Sequence, residues 1–322
     1  MINFSKRVFG CAIIKAINSN YNADFSGLPR TLPNGVVYAT DKAFKYTVKN
    51  YLKCVYPQDK IFYFKSLNEN MNPRTLDETY KLHFGDFPMR KDGKKTVVDK
   101  TAVTKNLLSK LDIRLFGATF AGETNISLHG TVQVNHATNI WSENHVYTEQ
   151  ITSPFRNEKE DKNDKKNADN EEKSEKGMTT IGRQSRLEEG HYLHHFSVNP
   201  DNISEMVELS KGTALSDEDI EKLKEAMRRG ATWYDSASKA GCENEMLVWI
   251  QLRKDSKIVL PNLTTLIDML DKKEDGMAVY DFKKLNEHIS GVKDEIEKIE
   301  LYINKQACKV TNVPANVEVK DI

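Results

Sequence analysis

The stretch that decides the fold is VFGCAIIKAI, at residues 8–17. Its residues favour extended structure and its apolar side chains fall on both faces, which is typical of a strand in the middle of a sheet. The sequence SNYNADFSGLPRTLPNG follows and is dense in Asn, Asp, Gly and Pro, which predicts a loop. A helix is predicted next, with Thr40 as its N-cap and Asp41 in the first turn, where the helix dipole favours a negative charge.

This helix has an apolar stripe and a basic stripe. The apolar stripe consists of Phe44, Val48, Tyr51 and Leu52. The basic stripe consists of Lys42, Lys45, Lys49 and Lys53. The four lysines fall within about 80° of one another at about 100° per residue. A solvated helix face and a phosphate-binding surface both produce such a stripe, so the pattern alone leaves the two open.

Four more elements follow along the chain. Residues 112–122 and 126–140 predict two strands that form a hairpin around GETN. A second helix is predicted from the Ser216 cap to Gly230, and residues 243–255 predict a final apolar strand. The order strand, helix, strand pair, helix, strand is the βαββαβ order of a ferredoxin-like or RNA-recognition-motif-like α+β fold with long insertions.

Three segments lie outside that core. Residues 54–110 mix basic and aromatic residues without clear periodicity, which indicates an insertion. Residues 156–177 contain 15 charged side chains and no apolar side chain larger than Ala168, so this loop is predicted to be disordered when unbound. It would be the tip of a long hairpin. Residues 256–322 predict helices around 262–272 and 281–300.

The formal net charge is zero, but the charges are segregated. Residues 1–150 contain 20 basic and 13 acidic side chains, a net charge of +7. Residues 178–322 contain 20 basic and 26 acidic side chains, a net charge of −6. A basic N-terminal half indicates a partner of its own, and nucleic acid is the first candidate.

Several classes of protein lose their usual support in the sequence. The N-terminus predicts no signal peptide, and no apolar run is long enough for a membrane span, so no membrane partner is expected. Neither a phosphate-binding GxxxxGK loop nor a GxGxxG motif occurs. The cysteines form no CxxC pair and indicate reduced thiols in a cytoplasmic protein. They are Cys11, Cys54, Cys242 and Cys308.

Two groups of residues could carry chemistry, and for each a simpler interpretation is preferred. His191, His194 and His195 have a spacing found in metal sites, but no Cys or carboxylate at ligand spacing joins them, so no metal is expected. Contact with nucleic acid is the better functional interpretation of these histidines. Asp24 could be a general base in RNA cleavage, but an Asx-turn residue that holds the loop is the preferred role.

Cations and aromatic residues occur together around the predicted sheet. The cations are Arg30, the lysine stripe, Arg114, Arg183 and Arg186, and the aromatic residues are Tyr21, Phe25, Tyr46 and Tyr192. Cations neutralise phosphates and aromatic rings stack on unpaired bases, so the combination predicts a surface for single-stranded nucleic acid.

Six short motifs occur in order over about residues 10–255. The loop motif N-x-N-G-D…P-R is matched by Asn20, Asn22, Asp24, Pro29 and Arg30, and T-D with following basic residues by Thr40, Asp41, Lys45, Lys49 and Asn50. D-[IV]-R-x-F-G is matched by Asp112, Ile113, Arg114, Phe116 and Gly117, and G-x-V-Q by Gly130, Val132 and Gln133. G-[RK] is matched by Gly182 and Arg183, and Y-x-x-H…P by Tyr192, His195 and Pro200. The sequence departs from the usual residues at Tyr21, Ala23 and Phe196.

Taken together, these motifs resemble the CRISPR-associated backbone subunit that polymerises along guide RNA in type I Cascade complexes, most closely its I-B and I-C branches. The resemblance implies a right-hand-like protein with an RNA-recognition-motif-like palm. The palm would comprise residues 1–53, 111–140 and 201–255, with a finger-like helical insertion in 54–110, a thumb-like hairpin in 141–200 and a C-terminal helical extension in 256–322. It implies antiviral defence, with copies stacked head to tail as a filament.

The resulting hypothesis is a non-enzymatic subunit that binds CRISPR RNA and other Cascade subunits, reaches target DNA through the guide, and needs no cofactor or metal. The predicted RNA-binding residues are Asn20, Asn22, Arg30, Lys42, Lys45, Lys49, Lys53, Arg114, Gln133, Asn135, Arg183, Arg186, Tyr192 and His195. Two alternatives remain open. One is a metal-dependent endoribonuclease that uses Asp24, and the other is an ordinary RNA-binding protein that acts as a monomer.

Overall fold

The computed structural model describes residues 2–152, 181–315 and 317–322. The charged loop predicted at 156–177 lies outside the described residues. The helices are α1 (Asp41–Val55), α2 (Leu76–Phe84), α3 (Lys100–Leu108), α4 (Leu111–Phe116), α5 (Ser204–Ser210), α6 (Asp217–Trp233) and α7 (Lys283–Ser290). None of the helices in these ranges combines the length and apolar composition that crossing a bilayer requires.

Strands alternate with these helices in a mixed α+β fold, so the predicted α+β class is confirmed. The first eight are β1 (Val8–Ser19), β2 (Tyr38–Ala39), β3 (Met89–Asp92), β4 (Lys95–Val98), β5 (Gly117–Ala121), β6 (Asn125–His129), β7 (Val132–Val134) and β8 (Ala137–Thr138). The remainder are β9 (Val146–Thr152), β10 (Ile181–Val198), β11 (Cys242–Leu252), β12 (Asp268–Met269), β13 (Ala278–Asp281), β14 (Ile296–Ile303), β15 (Cys308–Thr311) and β16 (Val317–Asp321).

A central sheet of seven strands organises the fold. Its order is β16-β14-β11-β1-β10-β7, and β9 also pairs with β10. Strand β1 is antiparallel to both of its neighbours, so that Val8 lies opposite Val198 on β10 and opposite Gln251 on β11. All residues from Val8 to Ile14 are buried. The prediction of a buried central strand is therefore confirmed.

The two faces of β1 belong to two different hydrophobic cores. Val8, Ala12 and Ile14 point to the first core, together with apolar residues of α1 and α6. Phe9, Cys11 and Ile13 point to the second, together with apolar residues of the C-terminal segment between residues 260 and 310. Because alternate side chains of a strand point to opposite faces, the buried part of β1, Val8–Ile14, has to be apolar at every position.

Helices α1 and α6 cover the first face. The predicted N-caps are confirmed: Thr40 accepts from the amide of Ala43, and Ser216 and Asp219 form a capping box. Helix α6 continues past Gly230, which was wrongly predicted to end it. A Cβ on Gly230 would lie 2.9 Å from the carbonyl oxygen of Thr47 on α1, so this glycine allows the two helices to approach closely.

The predicted strand at 112–122 is wrong in its first half. Residues Leu111–Phe116 form the short helix α4, and only Gly117–Ala121 is extended. Gly117 ends the helix with φ of +73°, a conformation that favours glycine. The hairpin that follows is present as β5 and β6, but it forms a separate two-stranded sheet.

Residues 126–140 also differ from the single strand predicted, because they form β6, β7 and β8 in three different sheets. The chain breaks between the first two at Thr131, whose backbone N–H and hydroxyl both donate to the carbonyl of Arg114. Residues 54–110 contain the β3–β4 hairpin in addition to α2 and α3. Their aromatic and aliphatic side chains form a third core with α4 and the β5–β6 hairpin.

The C-terminal segment has more residues in strands than in helices, which differs from the helical character predicted for 256–322. The helix expected around 262–272 is replaced by a 3-10 turn at Leu263–Thr265 and the short strand β12. Of the one expected at 281–300, only α7 forms. Residues 296–303 instead pair with β11 as β14, where Ile299, Leu301 and Ile303 enter the second core. Pairing with a buried strand outweighs the local preference for helix.

A buried polar network ties this segment to the sheet. His191 Nδ1 of β10 lies 2.7 Å from Glu245 Oε2 of β11, and its Nε2 lies 3.0 Å from Glu189 Oε1. The hydroxyl of Tyr280 on β13 donates to the same Glu245 oxygen at 2.7 Å. Burial opposes a charge on His191, but the hydrogen bonds to Glu189 and Glu245 outweigh it and raise the pKa of the imidazole. The network therefore contains a buried ion pair.

Replacing Glu245 with Gln should destabilise the fold, because it leaves the His191 imidazolium without its nearest counter-charge. We expect a loss of about 3 kcal/mol in the free energy of unfolding. Stabilisation from a raised histidine pKa is complete below the unfolded value of 6.5 and is lost as pH rises through the folded pKa. Urea unfolding should therefore give a larger loss at about pH 6 than at about pH 9.

Glu243→Gln provides the matched control. The Glu243 carboxylate pairs with Lys15 at 3.1 Å, and 36% of its side chain is exposed. Removing this pair should cost less than about 1 kcal/mol. Equal losses in the two variants, or a loss in Glu245→Gln that does not depend on pH, would contradict the role given to the network.

Candidate nucleic-acid interface

Three lysines of α1 lie over aromatic rings from neighbouring segments. Lys45 Nζ is 5.9 Å and Lys49 Nζ is 5.8 Å from the ring centre of Phe116, at the end of α4. Lys49 Nζ is also 5.3 Å from the ring centre of Tyr63. Lys53 Nζ is 4.8 Å from that of Phe64, on which the exposed Tyr46 stacks. These cation–π contacts fix the lysine stripe along a row of rings.

The lysines of the stripe differ in their hydrogen-bond partners and in their exposure. Lys45 pairs with Asp41 at 3.0 Å, and Lys49 donates to the carbonyl of Tyr63 at 3.3 Å. Burial lowers the pKa of Lys49, the buried carboxylate of Asp112 opposes that shift, and Lys45 adds to it. Lys42 is exposed at the start of the helix. The stripe thus combines paired and accessible cations at a spacing of about one helical turn.

The loop before α1 is held by its own side chains. Asn22 Oδ1 accepts from the backbone N–H and the hydroxyl of Thr40, both at 2.9 Å, so the loop is tied to the helix cap. Asp24 Oδ1 accepts from two backbone amides farther along the loop, at 2.8 and 2.9 Å. This is the Asx-turn geometry that the sequence favoured for Asp24. Asn20 is buried and donates to the carbonyls of Gly27 and Ser185.

The tip of this loop presents an exposed aromatic ring next to a cation. Phe25 is fully exposed, and the guanidinium of Arg30 lies 6.0 Å from its ring centre. A planar cation beside an accessible ring can contact phosphate and base together.

Residues in β7 and just after it extend the surface beyond the start of α1. Gln133 is exposed, with its amide donating to the carbonyl of Gly130 at 2.9 Å. His136 is exposed, stacks on Tyr38 and lies 3.4 Å from Asp41 Oδ1. His136, Asp41, Lys45, Lys49 and Tyr63 are thereby linked in one row, which we call the α1 row.

Several predicted RNA-binding residues have structural roles instead. Arg114 is 7% exposed and forms a bidentate pair with Asp219, with N–O distances of 2.8 and 2.9 Å. Tyr192 is 1% exposed in the first core, where its ring centre lies 5.1 Å from that of Tyr21. Neither side chain can reach a ligand on the surface of this structure.

Asn135 and His195 also bond within the protein. Asn135 Oδ1 accepts from the backbone N–H of His195 at 2.7 Å. The half-buried His195 ring accepts at Nδ1 from the amide of Leu263, because the C-terminal segment packs on that face of the sheet. Arg183 and Arg186 lie on the β9–β10 ribbon rather than on α1. Arg183 is exposed, and Arg186 donates to the carbonyl of Asn18 at 2.8 Å.

The sequence missed several members of the surface. Tyr63 and Phe64 lie in the stretch without periodicity, and His136 lies in the segment predicted as a continuous strand. Phe116 belongs to the D-[IV]-R-x-F-G motif, but a strand was predicted there instead of α4, so its position under Lys45 and Lys49 was not predicted. In residues 2–152, 181–315 and 317–322, no group of three or more His, Cys, Asp and Glu side chains is arranged to hold a metal ion.

Solved structures of other proteins share the fold of this chain. No individually curated protein matches the sequence. A chain of a structure described as "CRISPR RNA-guided surveillance complex, pre-nicking" aligns with a TM-score of 0.55 at 13% identity, over 98% of this chain and 96% of that chain. A chain of a "CRISPR RNA-guided surveillance complex" aligns with a TM-score of 0.50 at 13% identity, over 95% of each. At this identity the likeness is one of fold.

The family model of the CRISPR-associated protein Cas7 matches residues 6–289. This range includes α1, its preceding loop, α4 and the strands β1, β7, β10 and β11 of the central sheet. The chain therefore belongs to the Cas7 family of CRISPR-associated proteins.

Proposed function

We propose that this protein is a guide-RNA-binding backbone subunit of a type I Cascade, of the I-B-like branch, which presents CRISPR RNA for pairing with target DNA in antiviral defence. The observation that carries the proposal is the α1 row in a chain of the Cas7 family. Its cations can neutralise phosphates and its rings can stack on unpaired bases, without selecting a base sequence. A subunit that must accept any guide needs this kind of contact.

The sheet supports an RNA-recognition-motif-like palm. Strands β11, β1, β10 and β7 are adjacent in that order and each is antiparallel to its neighbours, with α1 and α6 on one face. This is the arrangement of a ferredoxin-like βαββαβ unit. The opposite face is covered by the C-terminal segment. RNA would therefore lie along the α1 row and the exposed loop tip rather than across the sheet.

Two other parts of the molecule support the proposed finger and thumb. Residues 54–110 contribute most of a separate core, as expected for a finger-like insertion. Strand β9 pairs antiparallel with residues 181–187 at the beginning of β10, with Arg183 exposed, which fits a thumb-like ribbon. We propose that Arg183 and Arg186 contact RNA from this ribbon, separately from the α1 row.

Multiple copies would stack head to tail along one guide and contact other Cascade subunits. The chain would act without catalysis of its own. The geometry of Asp24 favours this over the endoribonuclease alternative, because its carboxylate is engaged in turn hydrogen bonds.

Neutralising two lysines of the α1 row should weaken guide-RNA binding. We expect Lys45→Gln with Lys49→Gln to reduce affinity about tenfold, and to reduce the salt slope by about 0.7 for each phosphate that is no longer neutralised. Fluorescence anisotropy with labelled guide RNA at several salt concentrations measures both. The control is Lys272→Gln with Lys293→Gln, two exposed lysines of the C-terminal segment. Unchanged affinity and slope in the Lys45/Lys49 variant would refute this surface.

The number of bound copies should depend on guide length. Native mass spectrometry with guides of increasing length should show copies added stepwise, because each copy covers a fixed stretch of RNA. A matched RNA of the same length held in a duplex is the control, since its bases are not available for stacking. One copy per RNA at every length would favour the ordinary monomeric RNA-binding protein.

Assembled complex should not cleave RNA paired to its guide. Complementary labelled RNA, incubated with the complex and Mg²⁺ or Mn²⁺, should remain intact on a denaturing gel. Asp24→Asn is the informative variant, since Asn also supports an Asx turn and removes only the charge. Periodic cleavage by the native chain that disappears in Asp24→Asn would establish the endoribonuclease alternative.

A further inference from the structure

Asp112 is a fully buried carboxylate whose partners lie on another segment. Its two oxygens accept from the backbone amides of Phe62 and Tyr63 at 2.9 and 2.7 Å. Asp112 lies in α4, whereas the two amides belong to residues that follow α1 in the sequence. A carboxylate with two amide donors is a strong, directional contact. Asp112 thereby fixes the backbone that carries the Tyr63 ring.

The Asp112 carboxylate also influences Lys49, whose ammonium group lies over the Tyr63 ring. Burial lowers the pKa of Lys49 and raises that of Asp112, and the attraction between the two charges opposes both shifts. Asp112 also attracts the charge of Lys110, whose pKa burial lowers. Lys49 in turn donates to the carbonyl of Tyr63 at 3.3 Å. Asp112 therefore holds the Tyr63 backbone, and Tyr63 in turn positions Lys49 through its carbonyl and its ring.

Helix α4 is itself held rigidly. Two residues beyond Asp112, the guanidinium of Arg114 forms its bidentate pair with Asp219 of α6 and donates to the carbonyl of Leu108 at 3.0 Å. Phe116, at the end of the same helix, lies under both Lys45 and Lys49. The helix thus joins α6, the insertion and the rings of the α1 row within six residues.

We propose that Asp112 is a positioning residue for RNA binding, which holds Tyr63 and Lys49 in the geometry that receives the guide. This inference rests on the function proposed above and adds to it a residue that does not touch RNA. The D-x-R-x-F-G sequence then has a physical meaning: Asp112 sets the lysine and ring, Arg114 anchors the helix, and Phe116 supports the stripe.

Asp112→Asn tests this with little change of shape. The amide oxygen can accept one of the two N–H groups, but the amide nitrogen would face the other, and the negative charge that attracts Lys49 would be lost. We expect guide-RNA affinity to fall about tenfold, or about 1.4 kcal/mol. Hydrogen exchange of the Phe62 and Tyr63 amides should accelerate in the absence of RNA. Affinity is measured at a temperature where circular dichroism shows every variant to be folded.

Glu300→Gln is the control for lost stability. Glu300 is 4% exposed and pairs with Lys224 at 3.1 Å and Lys320 at 2.9 Å, in the sheet and away from the α1 row. We expect it to lower the midpoint of thermal unfolding while leaving RNA affinity unchanged. A purely structural role for Asp112 would make the two variants behave alike.

A double-mutant cycle separates positioning from an independent effect. In a Lys49→Gln, Tyr63→Ala background, Asp112→Asn should weaken binding no further. Equal weakening with and without that background, or wild-type affinity in Asp112→Asn alone, would overturn the positioning role while leaving the proposed function intact. If instead Lys45 and Lys49 prove dispensable for binding, the proposed RNA surface fails, and the positioning role fails with it.

Discussion

The structure depends on one strand that is buried on every side. Strand β1 pairs with a neighbour along each edge, and both of its faces are covered, one by α1 and α6 and the other by the C-terminal segment. A strand in that position cannot alternate apolar and polar residues, and its sequence does not. Everything else is arranged around it: the helix that carries the lysines lies on one side, and the segment that closes the sheet lies on the other.

The sequence predicts those parts of the fold that have local signals, and the buried central strand is one of them. The central strand, α1 and the start of α6 were predicted correctly, because their signals are local: apolar runs, a capping Thr or Ser, and a stripe of period 3.6. The prediction of a strand at residues 112–116 was wrong because so short an apolar segment has too little length for its period to show. Strand β14 depends on pairing with β11, which no local pattern reports.

The candidate site, too, was predicted from the sequence only in part. The lysine stripe was visible in the sequence because helical spacing brings its members together. Arg114 and Tyr192 were misassigned because residue type does not reveal burial: the guanidinium is matched to Asp219 and the phenol is packed on Tyr21. The rings under the lysines come from two segments, residues 63–64 and Phe116, which are far apart in the sequence, so only the folded chain assembles the surface.

The rings beneath the lysines have a consequence for the thermodynamics of binding. A free lysine loses rotamer freedom when it grips a phosphate, at a cost of about 0.5–1.5 kcal/mol for each immobilised side chain. Lys45, Lys49 and Lys53 already lie against aromatic faces, so much of that freedom is lost when the chain folds rather than when RNA arrives. The entropic cost of ordering these lysine side chains is therefore part of the free energy of folding, and RNA binding does not have to include it again.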